Sequence, residues 1–198
     1  MFHVIQKSIV APKAAASTRI LSPKPRDAIP GAAISYLSPL LAVVVGILHA
    51  ALAPVVAIGG VKPNLVLVAV VLVTVLAGFM PGITWAFVAG LTANLLVGDP
   101  LGSVPLVMLL VATLVAGGAR VLGRMVWIYP VAAAFAGSVV ADVGSLVIGQ
   151  LVSDASVAGV PIHLIGAAAV LNAAIVALVL YPARAIAGRY APDEAAGW

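Results

Sequence analysis

A chain of 198 residues that is 64% hydrophobic and 8% charged is no ordinary soluble domain, which carries roughly 25% charged residues. Residues 28–61, 63–98, 100–119, 125–141 and 155–183 contain no Asp, Glu, Lys or Arg, so the charge-free stretches reach the length of membrane spans, for which about 20 apolar residues suffice. The tails and short loops leave no room for a soluble catalytic or nucleotide-binding domain, and the absence of cysteine excludes disulfides, thiolate metal sites and cysteine nucleophiles.

Residues 1–35 hold Lys7, Lys13, Arg19, Lys24 and Arg26 against the single acid Asp27, with Pro12, Pro23, Pro25 and Pro30 interrupting any helix. This segment reads as a mobile basic arm. A cleaved signal peptide fits less well, because the region before the first apolar run is too long and further spans follow.

Six spans are expected in a transmembrane domain over 36–187. The first, Tyr36–Ile58, contains Pro39, His49 and Pro54 and should bend. The second, Leu65–Phe79, follows the turn at Gly59-Gly60-Val61-Lys62-Pro63-Asn64, and Met80-Pro81-Gly82 reads as a tight turn into the third, Ile83–Val97. Gly98-Asp99-Pro100-Leu101-Gly102 breaks the chain before the fourth, Val104–Ala119. The fifth, Met125–Leu151, carries Asp142, and a loop with Asp154 leads to the sixth, Ile162–Ile186. Residues 188–198 form a short tail.

An even number of spans puts both termini on one side. That side would carry the five basic residues of the arm, Arg120 and Arg124, and Arg184 and Arg189, against Lys62 alone on the other. The positive-inside rule therefore assigns both ends to the cytoplasm. Tyr36, Phe79, Trp85, Trp127, Tyr129 and Tyr181 fall near that interface, where amphipathic rings anchor helices.

Asp142 is the first candidate for a role, because a carboxylate inside a span is costly and marks a pathway, a partner or a polar cluster. Three readings stand side by side: pairing with a hydroxyl, Asn172 or His163; a functional interface; or an interfacial residue with no role. A proton relay would need a second intramembrane acid, which the expected spans lack. Asn172 and His49 are the other intramembrane polar groups, and each has a structural alternative as an interhelical hydrogen bond, a contribution of about 0.6 kcal/mol. Histidines at positions 3, 49 and 163 show no metal-site spacing. There is no P-loop and no credible serine, histidine and acid set, so no catalysis, cofactor, metal or nucleic-acid partner is expected.

Small residues recur every four positions at Ala133, Gly137 and Ala141, and again at Ala169, Ala173 and Ala177. Such stripes let helix backbones approach closely, within the bundle or against a partner. The most specific string is Gly90-Leu91-Thr92-Ala93-Asn94-Leu95-Leu96-Val97-Gly98-Asp99-Pro100-Leu101-Gly102. Gly90, Asn94 and Gly98 share one helix face, Asp99-Pro100 ends the helix, and Gly102 supplies a turn.

This string resembles the run found in the rod shape-determining protein MreD family: Gly-Leu, a gap, an acid, two apolar residues, Gly, a variable pair and Leu-Gly. The matching positions are Gly90, Leu91, Asn94, Leu95, Leu96, Gly98, Pro100, Leu101 and Gly102. Lys62-Pro63-Asn64-Leu65 is similar to the family's Pro-Asp/Asn-Leu opening of a span. Asn94 departs from the pattern, because the family usually has aspartate there. The resemblance implies a non-enzymatic subunit of the bacterial cell-elongation machinery in the cytoplasmic (inner) membrane. It would work with the single-span protein MreC, the actin-like MreB, and the synthases RodA and penicillin-binding protein 2.

On that reading Gly90, Asn94, Gly98, Pro100 and Gly102, with Ala133, Gly137 and Ala141, are candidate contact surfaces. Leu in place of Gly90 or Gly98 should disrupt complex formation without unfolding the bundle. The rival reading is a substrate-binding subunit of an energy-coupling-factor vitamin transporter, with Asn94, Asp99, Asp142, Asp154 and His163 converging on an outward pocket.

Overall fold

A computed structural model describes residues 29–52, 55–57, 60–122, 128–152 and 162–190, and the statements below concern these residues. They form six α-helices: α1 (Ile29–Leu52), α2 (Leu65–Ala77), α3 (Phe79–Val97), α4 (Ser103–Val121), α5 (Ile128–Val152) and α6 (Ile162–Tyr190). The protein is an all-α bundle. Four of its helical stretches, Phe79–Val97, Ser103–Val121, Ile128–Val152 and Ile162–Ile186, are long and apolar enough to cross a membrane. Leu37–Leu52 and Leu65–Ala77 are shorter apolar helices.

The helix bounds depart from the sequence reading at three places. First, α1 begins at Ile29, inside the segment expected to be a non-helical arm; Pro30 falls in its first turn, where a missing N–H breaks no helical hydrogen bond. Second, α1 ends at Leu52 rather than Ile58. Third, Met80-Pro81-Gly82 is the opening turn of α3, not a separate turn. The break lies at Gly78, whose φ of +98° only glycine adopts without strain, and Pro81 is tolerated because it follows so closely. The arm before Ile29, Pro54, Arg124, Trp127, Asp154 and the tail after Tyr190 lie outside the described residues.

The architecture follows from α2. Its sequence, Leu65–Ala77, has no polar face, so every side of it can pack against another helix or against lipid. Accordingly α2 touches all five other helices, while α1, α3, α4, α5 and α6 pack in that order around it, each against the next. Val66, Leu67, Val70 and Val71 are fully buried. Among the described residues α1 and α6 do not touch, so the surrounding layer is an open ring. The half-buried residues Leu65, Ala69, Val73 and Leu76 share one face of α2.

Close backbone approach fixes the neighbours. A Cβ added to Gly46 would lie 2.8 Å from the Ala89 carbonyl oxygen and from Thr92 Cβ, which sets α1 against α3. One added to Gly82 would overlap Thr74 Oγ1, locking α2 to α3. Trp85 Nε1 donates to Ser38 Oγ at 2.7 Å, and the Tyr129 hydroxyl donates to the Val115 carbonyl. Trp85 and Tyr129 are both buried, so these rings tie helices together instead of facing lipid. Tyr181 stays exposed.

Candidate functional site

The α3–α4 hairpin is built by one side chain. Asn94 sits in the last turn of α3 with 1% of its surface exposed. Its Oδ1 accepts the Gly102 N–H at 2.7 Å, and its Nδ2 donates to the Asp99 carbonyl at 3.2 Å. The amide thus clamps the connection from within, tying Asp99 near its start and Gly102 at its end to the last turn of α3. The chain can make this short reversal because Gly98 (φ +78°) and Gly102 (φ +88°) take the left-handed conformation.

Gly90 supplies the second constraint. A Cβ there would lie 2.9 Å from Pro105 Cα and 3.2 Å from Pro105 N, so α4 runs directly against the bare backbone of α3. The obstructing atoms are backbone and cannot rotate away. Leu in place of Gly90 therefore strikes the bundle itself, contrary to the expectation that it would spare the fold. Gly98 has no atom within 4 Å of such a Cβ, and only its φ opposes substitution.

Burial separates the nominated string into two sets. Gly90 and Asn94 face inward, whereas Leu95, Leu96, Val97, Gly98, Asp99, Pro100 and Leu101 are exposed. Leu101 keeps 82% of its surface accessible. What the string turns outward is the end of α3 and a loop carrying Asp99 and Leu101, held in shape from beneath.

The small-residue stripe of α5 is also internal. Ala133, Gly137 and Ala141 are buried, and a Cβ on Gly137 would lie 3.0 Å from Val111 Cγ1 of α4. On α6, Ala169 and Ala173 are buried while Ala177 is exposed.

Asn172 organises a second polar device. It is 1% exposed, its Oδ1 accepts the backbone N–H of Asn64 at 2.8 Å, and its Nδ2 donates to Ser138 Oγ at 2.8 Å. Asn64 caps α2 by accepting the Leu67 N–H on its own side chain at 3.0 Å. Three helices, α2, α5 and α6, meet through these groups, and non-helical backbone before Leu65 keeps its donor satisfied inside the bundle. The Pro63-Asn64-Leu65 motif is thus a helix start tied to the last helix.

Asp142, one turn along α5 from Ser138, does not join Asn172. Its Oδ2 is buried without a hydrogen-bond partner among the described residues, as is His49 Nδ1. Asp99 and His163 lie on the surface, and the Asn94 amide is engaged by its own loop. Of the polar groups proposed to line a vitamin pocket, no two of the described side chains hydrogen-bond to each other, and Asp154 lies outside the described residues. Sequence reasoning missed Ser138, since a buried serine in an alanine-rich helix gives no local signal. It also missed Asn64 as a cap, although an Asn directly before an apolar run is a recognisable helix start.

The family model for the rod shape-determining protein MreD matches residues 32–185. The chain belongs to the MreD family. The match extends far beyond the two motifs, takes in most of the bundle from α1 to α6, and replaces the transporter reading. Searches among curated proteins and solved structures found no significant match. As a member of the MreD family the protein is a membrane protein concerned with rod shape. The family's marked positions now have physical roles: Gly90 admits α4, Asn94 fastens the hairpin loop, and Asn64 joins α2 to α6.

Proposed function

We propose that this chain is a non-enzymatic, multi-pass subunit of the rod complex in the bacterial cytoplasmic membrane. It organises lateral peptidoglycan synthesis through contacts with an MreC-like single-span protein and, through that assembly, with MreB, RodA and penicillin-binding protein 2. Six spans place both termini in the cytoplasm, the transmembrane domain occupies 36–187, and residues 1–35 and 188–198 flank it on the cytoplasmic side.

The observation that carries this reading is the open ring. The side of α2 bearing Leu65, Ala69, Val73 and Leu76 is only half-buried, and α1 and α6 leave the layer around α2 unclosed. A single partner helix inserted there would meet α2 and both flanking helices, without lipid tails between them. The inward-turned residues Gly90, Asn94, Ala133, Gly137 and Ala141 preserve the shape of that receiver, and the loop with exposed Gly98 and Pro100 and half-buried Gly102 offers a second contact outside the membrane.

Photo-crosslinking residues placed at Leu65 and Val73, on the half-buried face of α2, test the lateral site. Adducts to the single-span protein are expected at these positions and not at Leu114, on the exposed face of α4. Adducts at Leu114 alone would move the contact to another face. Failure to co-purify any wall-synthesis protein would sink the functional reading.

A further inference from the structure

One end of the bundle contains a cavity of about 490 Å³ between the C-terminal ends of α2, α4 and α6 and the starts of α3 and α5. This volume falls in the ~300–1,000 Å³ range of small-molecule sites. Arg120, in the last turn of α4, and Arg184, near the end of α6, both line it, and no carboxylate does. The remaining wall is largely apolar, with Leu76, Phe79 and Ala116 among its residues. The α3 helix starts at this wall with no side-chain cap on its first turn, which leaves the positive end of its dipole directed there.

A topology signal requires basic residues at a helix end but no cavity between them. Here two arginines from separate helices border a hollow whose other lining residues are largely apolar. We propose that this cavity binds a phosphate-bearing amphiphile, an anionic lipid whose phosphate meets Arg120 and Arg184 while the start of its chain lies against Leu76, Phe79 and Ala116. Planar guanidinium groups recognise phosphate through paired, charge-assisted hydrogen bonds, and basic pockets between membrane helices select anionic headgroups. The site rests on the membrane reading of the chain, with this end at headgroup depth, and shares Leu76 alone with the α2 face proposed for the partner helix.

The test is native mass spectrometry of the full chain in mild detergent, with phosphatidylglycerol, cardiolipin, phosphatidylcholine and inorganic phosphate as probes. The anionic lipids should be retained about tenfold better than phosphatidylcholine, and Arg120→Gln should remove most of that preference. Ala116→Leu, which fills the cavity and keeps both arginines, should also release the lipid. Circular dichroism and unfolding temperature establish that each variant is folded. Because Arg120 is exposed, its variant serves even if Arg184→Gln does not fold. Displacement by millimolar inorganic phosphate would assign the affinity to the phosphate group alone; retention against it would assign the site to the intact lipid. Equal retention of phosphatidylcholine, or undiminished anionic-lipid binding by folded Arg120→Gln, overturns the proposal, while recovery of wall-synthesis partners would be unaffected by that failure.

Discussion

Asn94 accepts the backbone N–H of Gly102 at 2.7 Å while its other end donates to Asp99. The two bonds use both halves of a carboxamide, and they explain what the departure from the family's usual aspartate does. An aspartate could hold Gly102 but would set a carboxylate oxygen against the Asp99 carbonyl. Asn94→Asp is therefore expected to destabilise this protein by about 1 kcal/mol, and Asn94→Leu, which leaves a buried donor unmet, by about 1–3 kcal/mol. Thermal unfolding in detergent measures the order. Proteolysis within residues 98–102 should rise in the same sequence.

Gly90 and Gly98 should behave differently, one lying inside α3 and the other capping its end. Gly90→Leu drives a side chain into the Pro105 backbone and should abolish recovery of folded bundle. Gly98→Leu meets no neighbouring atom and carries only the cost of a left-handed residue, roughly 1–2 kcal/mol. Size-exclusion profiles of the two variants distinguish them. A monodisperse Gly90→Leu protein would contradict the close α3–α4 contact.

Removing the Asn172 amide should affect three helices together. Asn172→Leu leaves the Asn64 N–H and the Ser138 hydroxyl without their partners, a loss of about 1–3 kcal/mol that exceeds the ~0.6 kcal/mol of an average interhelical bond. Ser138→Ala deletes one of the two bonds and should cost less. A cycle combining the two substitutions should show them to be non-additive.

The natural absence of cysteine permits a direct test of topology. Asp99→Cys and Leu122→Cys place single thiols at exposed positions beyond opposite ends of α4. A membrane-impermeant maleimide applied to intact spheroplasts should label the first and spare the second. The reverse pattern would invert the bundle.

Much of this fold was legible because membrane spans declare themselves by charge. Four long helices and the breaks at Gly98–Gly102 follow from that pattern, and the Gly90–Gly102 string led to the hairpin. What the sequence could not convey was direction around each helix. Gly137 and Ala177 look alike in composition, yet one lies against Val111 and the other is exposed, because in an alanine-rich chain small residues line both faces. Trp85 and Tyr129 were read as interfacial anchors from their depth alone, and only packing shows that their polar atoms bind Ser38 and the Val115 carbonyl. Pairing with Asn172 was one of several readings open for Asp142, but Ser138, one turn away on the same helix, takes that bond.

The Asn64–Asn172 hydrogen bond joins residues 108 apart, and it links the second helix to the sixth. A ribosome has emitted α2, α3, α4 and α5 before the group that satisfies the Asn64 amide exists. Until then the central helix lacks one of its five walls and its entry backbone lacks an acceptor within the chain. Biogenesis of this protein consequently ends with a latch: insertion of α6 closes the core laid down at the beginning, and a chain interrupted after α5 should be left open to membrane quality control.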